Sequence, residues 1–133
     1  MGKEDVARTG TDRQHLPEQE PSDSGVMARR PAVALTTTEP RLAAELARSI
    51  VQSGLAACVQ VVPQIRSFYV WDGAVQDDAE ALLLIKTDLG LSQRLIDHIN
   101  AVHSYEVPEL LFLKVDHGLP SYLDWMAEVL SIR

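Results

Sequence analysis

Two β-rich runs joined by a two-residue turn constrain this chain more than any other feature. Residues 55–62 (LAACVQVV) and 65–71 (IRSFYVW) lead into Asp72-Gly73, and residues 75–87 (VQDDAEALLLIKT) lead out of it. Asp-Gly between such runs is a hairpin signal, because both residues tolerate positive φ. Pro63 has no amide proton for a ladder and marks a bulge or an edge. The apolar run ALLLI at 81–85 has the pattern of a strand covered on both faces. Strands of about 15 residues reach roughly 50 Å, further than a pair of helices covers. Phe68, Tyr69, Val70 and Trp71 stand at the tip. Exposed aromatic surface on a strand edge is an aggregation hazard in a monomer, so self-association is expected.

The remaining elements follow from periodicity. Residues 32–37 form a β-branched strand that ends in TTTEP, with Pro40 at the first position of a helix. Leu42, Ala43, Leu46, Ala47, Ile50 and Val51 make an apolar stripe at helical spacing, and Gly54 supplies a left-handed cap. A second helix spans about 88–102, with Leu91, Leu95, Ile99 and Val102 on one face and Asp88 or Ser92 as cap. Residues 110–115 are a further strand. Gly118-Leu119-Pro120 opens a last helix with Leu123, Met126, Ala127 and Leu130 inward. The order βαββαβ plus a terminal helix is the split βαβ arrangement, an α+β ferredoxin-like sandwich with two helices on one face of a four-stranded antiparallel sheet. The other face of that sheet needs a cover.

Residues 1–30 hold only Val6, Leu16 and Val26 as large aliphatics besides two methionines, too little apolar area to offset the entropy of ordering them. A disordered N-terminal extension over 1–30 and a folded domain over 31–133 are therefore expected, with Met27 an alternative start. The chain has 12 basic against 19 acidic residues, a formal charge of -7, which repels phosphate backbones and anionic headgroups. Neither nucleic acid nor membrane is an expected partner, since no apolar run reaches the roughly 18 residues of a span. A single cysteine, Cys58, permits no internal disulfide and fits the cytoplasm.

Four segments, LAACVQVVP (55–63), SFYVWDG (67–73), LLLIKT (82–87) and HSYEVPEL (103–110), resemble in order and spacing the signature segments of the CutA divalent-cation-tolerance family. The resemblance covers about residues 32–130. It implies a homotrimer in which the long hairpins pair between subunits, a link to divalent metals with copper binding by some members, and no enzymatic activity. In the proposed copper site of bacterial relatives a first-strand cysteine and a histidine pair are ligands. Here Leu35 and Thr36 occupy the strand and Val102-His103 the pair, with Ser104 where the proline follows, so His103 alone matches.

Beside His103 stand Tyr105, Glu106 and Glu109; one imidazole and two carboxylates suffice for a borderline divalent ion such as copper or zinc. The alternative for His103 is a cap on a helix carboxyl end. Cys58 is either small core filler or a soft-metal ligand. Lys86 ends a buried run and needs either an ion-pair partner, Glu109 being a candidate, or a ligand. Asp77-Asp78-Glu80 reads as a solvated edge or as a loose site for a hard cation. Phe68, Tyr69, Trp71, Lys86 and Tyr105 are candidates for a ligand or subunit interface. His98 lies 140° round the helix from His103 and reads as solvated, while His117 falls in a loop. No nucleophile elbow, P-loop or metalloprotease pattern occurs. The leading expectation is a trimeric metal-responsive protein; the others are a regulatory trimer of the PII type binding a small ligand between subunits, and a structural scaffold.

Overall fold

The computed structural model describes residues 28–132. The expectation of disorder over 1–30 therefore falls almost wholly outside the described residues, as does Met27.

Strand β1 (Pro31–Thr38) alternates up to its end: Ala32, Ala34, Thr36 and Thr38 are buried, Val33 and Leu35 on the opposite face are half-buried, and Thr37 at the end of that face is buried as well. Pro40 opens a 3₁₀ turn, Pro40–Leu42, rather than the α-helix itself. Leu42 N–H donates to the Glu39 carbonyl at 2.9 Å, a tight bond that delays α1 (Ala43–Gln52) by three residues. The stripe of α1 buries Ala43, Leu46 and Ile50. At its end Gly54 adopts φ +73°, with Gly54 N–H bonded to the Val51 carbonyl and Leu55 N–H to that of Ile50. That closes the helix as its sequence anticipates.

The hairpin is one continuous pair, β2 (Cys58–Trp71) and β3 (Ala74–Asp88). Asp72 at φ 56° and Gly73 at φ 78° make the turn. Its register runs from Trp71 opposite Ala74 to Cys58 opposite Lys86, with one irregularity between Val62 and Ile65 that absorbs Pro63. Leu55, Ala56 and Ala57 precede the strand and are buried.

Asp88 accepts from Gly90 N–H at 2.8 Å and Arg30 N–H at 2.7 Å, capping a second 3₁₀ turn, Leu89–Leu91, ahead of α2 (Ser92–Val102). Of the four expected inward residues, Leu95 and Ile99 reach the main core, Leu91 joins a second cluster, and Val102 at the helix end is exposed. His98, expected to be solvated, is half-buried and its Nε2 lies 3.0 Å from Ser49 Oγ, linking the two helices. Strand β4 (Leu111–Lys114) pairs with β1, giving the antiparallel order β2-β3-β1-β4. Helix α3 (Pro120–Val129) packs Met126 and Ala127 with Leu130, Ile132, Ala57 and Leu91.

Both long helices cover one face, where Ala34, Leu83 and Ile85 of the sheet meet Ile50, Leu95 and Ile99. Across the other face the register lays out Leu113–Val33–Lys86–Cys58, then Leu111–Leu35–Leu84–Gln60, then Thr37–Leu82–Val62. Leu111 and Leu113 are 57% and 54% exposed there. The run 81–85, expected to be covered on both faces, is thus covered within this subunit on one. Replacing Leu95, fully buried under the sheet, with alanine is expected to cost about 2–5 kcal/mol in urea unfolding; a loss under about 1 kcal/mol would contradict this core.

Candidate functional site

Where β1 ends, the hairpin continues alone, and the 103–110 loop folds beside it to form a cleft of about 750 Å³. Glu80 forms its floor. By the two-residue period Glu80 shares the uncovered face with Leu82 and Leu84, and it is 8% exposed. Both carboxylate oxygens are satisfied: Ser67 Oγ donates to Oε1 at 2.6 Å from the neighbouring strand, and Tyr105 OH donates to Oε2 at 2.8 Å from the loop. Burial, then the bond to Glu80, pushes the Tyr105 phenol far above its usual range.

Five carboxylates line the cleft, those of Glu39, Asp78, Glu80, Glu106 and Glu109. Phe68, Tyr69, Trp71 and Tyr105 are among its lining residues; strand alternation puts the Tyr69 and Trp71 side chains on the Glu80 face and that of Phe68 on the opposite face, with Arg66 and Asp77. Tyr69 OH donates to Asp78 across the strands, and this bond chiefly raises the Tyr69 phenol. Partial desolvation of an otherwise exposed side chain, followed by the charge of Glu80, raises the Glu109 carboxyl above its ordinary value.

His103, Cys58 and Lys86 do not line this cleft. His103 caps the end of α2, its N–H bonded to the Ile99 carbonyl at 2.9 Å. Its Nδ1 accepts from Tyr105 N–H at 3.0 Å, and its Nε2–H donates to the Thr37 carbonyl at 2.7 Å. Both ring nitrogens are committed to the neutral tautomer that this pattern requires, and the imidazole braces the loop against β1. Cys58 begins β2, opposite Lys86 at the far end of the hairpin from Glu80. Lys86 Nζ stands 5.7 Å from the centroid of Tyr122 on α3, a cation–π contact, and within this chain Lys86 forms no ion pair with Glu109. Glu109 is instead held at the top of β1, where its carbonyl accepts from Thr36 Oγ1 at 2.6 Å.

The expected metal set is therefore divided. Glu106 and Glu109 share the cleft with Tyr105, whereas His103 and Cys58 lie apart from it. Among the described residues no group of three His, Cys, Asp or Glu side chains stands in position to hold a metal ion. A copper site of the imidazole-plus-thiolate kind does not fit these residues within one subunit. Ser67 and Glu39 are cleft residues that sequence reasoning missed, and the bonded position of Glu80 was missed although the residue was named. Counting the pairing back from the Asp72-Gly73 turn could have found Ser67 and the position of Glu80, because it sets the 65–67 stretch against 78–80. Glu80 also corrects the reading of the Asp77-Asp78-Glu80 run as a solvated edge.

Because Glu109 holds its proton to higher pH when folded, its ionisation opposes folding. The stability it contributes is complete below its ordinary pKa and lost as pH rises through the raised one. Glu109→Gln should therefore melt above wild type at about pH 8, with the gap closing below about pH 4. Thermal melts across that range check it, and identical melting at the upper end would contradict the raised Glu109 carboxyl.

With this geometry in place, comparison with known proteins is informative. The family model of the CutA1 divalent ion tolerance protein matches residues 32–129. Protein CutA of Mus musculus is 40% identical over 116 residues, covering 85% of this chain and 66% of the mouse protein. The chain spans 54–66% of the length of the mouse, Arabidopsis and human relatives. The crystal structure of CutA1 from Oryza sativa is 40% identical, with TM-score 0.74 over 79% of this chain and 95% of its own. A structure described as a PII-like protein CutA from Nostoc is 31% identical, with TM-score 0.71 over 77% and 99%. The chain belongs to the CutA1 divalent ion tolerance protein family.

Proposed function

We propose that this chain acts as a homotrimer in the cytoplasm, in the response to divalent metal ions, as a binding protein and not as a catalyst. The observation that carries the reading is the uncovered sheet face, whose apolar rows run directly into the acidic cleft at Glu80. Three copies packed through those rows would bury Leu111, Leu113, Leu35 and Leu84 and wall the cleft with a second chain. The single cysteine supports a reducing compartment. No helix among the described residues is long and apolar enough to cross a membrane.

For a divalent ion, copper or zinc, Glu106 and Glu109 are the carboxylates to bind it. Neither makes a side-chain hydrogen bond to another described residue, whereas Glu80, Asp78 and Glu39 do. Carboxylates of one subunit supply too few donors for tight binding, so the rest come from the neighbouring copy. His103 and Cys58 enter this reading only if they leave their present positions. Titration calorimetry with copper or zinc should show binding that weakens about tenfold in Glu109→Gln and persists in His103→Ala, about 1.4 kcal/mol for the lost carboxylate. Equal isotherms for wild type and Glu109→Gln would remove the carboxylates from the metal reading.

A second reading is favoured by the size of the cleft, which matches small-molecule sites rather than a bare ion. In it the trimer is regulatory, of the PII-like kind, Tyr69, Trp71 and Tyr105 contact a small ligand between subunits, and Phe68, on the other face of the hairpin, belongs to the subunit interface. The Nostoc relative described as PII-like supports that reading. Lys86 then belongs to the interface, beside Val33 and Cys58 on the uncovered face.

A further inference from the structure

The cleft's lining is one-sided in a way that selects a ligand class. Among the described residues it holds five carboxylates and no Lys, Arg or His. A nucleotide or other phosphate ester would meet only like charge there. The carboxylates also burden one another, since the charge of Glu80 contributes to the raised carboxyl of Glu109. A cation brought between them relieves that repulsion.

Carboxylates alone would not separate a metal ion from an organic cation; the rings do. Trp71 and Tyr69 are 59% and 43% exposed, and together with Tyr105 they offer π faces beside Glu80, Glu106 and Glu109. A hydrated metal ion gains nothing from indole surface. An ammonium or guanidinium carrying hydrocarbon gains twice, from the ring quadrupole and from burial of its carbon. A volume near 750 Å³ leaves room for such a multi-atom ligand. The hairpin already uses this chemistry once, where the Arg66 guanidinium lies 5.1 Å from the Phe68 centroid while paired with Asp77 at 2.7 Å.

We propose that the cleft between the hairpin stem and the 103–110 loop binds a small organic cation, an amine, quaternary ammonium or guanidine. In this site Trp71 and Tyr105 stack on the cation and Glu109 neutralises it. The proposal rests on the small-ligand reading of the cleft and names its ligand class.

The test is calorimetry on the full chain with choline, agmatine and spermidine as probes. The neutral isostere 3,3-dimethylbutanol, ATP and zinc serve as comparators. At least one cationic probe should bind, and 3,3-dimethylbutanol and ATP should bind at least tenfold more weakly. Trp71→Leu and Glu109→Gln should each weaken the cationic probe about tenfold, with Trp71→Phe retaining most of the affinity. Absence of binding by all three cations would overturn the proposal. So would equal binding of the neutral isostere, or affinity unchanged in both Trp71→Leu and Glu109→Gln. Circular dichroism and sedimentation of each variant separate loss of the site from loss of fold or assembly. A folded trimer that binds no cation refutes the ligand class alone, whereas a monomer that still binds one refutes the assembly and leaves the site.

Discussion

The sheet is longer and more apolar than one subunit can shelter, and the rest of the molecule answers to that mismatch. Helices α1 and α2 satisfy one face with Leu46, Ile50, Leu95 and Ile99. The other face presents Val33, Leu35, Leu82, Leu84, Leu111 and Leu113 in register, with α3 closing only the end beside Lys86 through Tyr122. Burying those rows against like rows is worth roughly 25 cal/mol per Å² of apolar area, which is the natural source of an assembly energy. Strand pairing holds the rows aligned, so the same register that builds the core also lays out the apolar rows of the uncovered face.

The cleft is a consequence of the same mismatch. Past Thr38 the hairpin has no β1 beside it, and the 103–110 loop fills the gap with Tyr105 and His103. A buried carboxylate is costly unless its oxygens are bonded, and Glu80 is tolerated because Ser67 and Tyr105 supply one hydroxyl to each oxygen. His103 in turn fixes Tyr105 by accepting its N–H while gripping the Thr37 carbonyl. One chain of bonds thus connects β1, the loop and the hairpin, and sets the acidic floor against aromatic walls.

Local signals carried most of the fold into view from sequence. The Asp72-Gly73 turn, the Gly54 cap and the alternation in β1 depend on residues within a few positions of one another, and the element order followed. The two 3₁₀ turns were not legible, because Pro40 and Asp88 are compatible with either helical start; Val102 shares the face of Leu95 but is exposed because α2 ends at it. At the site, the aromatic residues and Glu109 could be named from composition and spacing. The role of Glu80 could not, since its partners lie 13 and 25 residues away and its neighbours Asp77 and Asp78 are exposed. His103 drew notice as a ligand because sequence does not show a carbonyl 66 residues distant that occupies its second nitrogen. For Lys86 sequence leaves an ion-pair partner or a ligand open, and does not show that the C-terminal helix brings the Tyr122 ring to it.

Sedimentation equilibrium at micromolar concentration tests the central claim most directly. Wild type should sediment at three times the mass of the 14.7 kDa chain, and Leu111→Asp with Leu113→Asp should drive it to lower mass. A folded wild-type chain that sediments at single-chain mass would contradict the account.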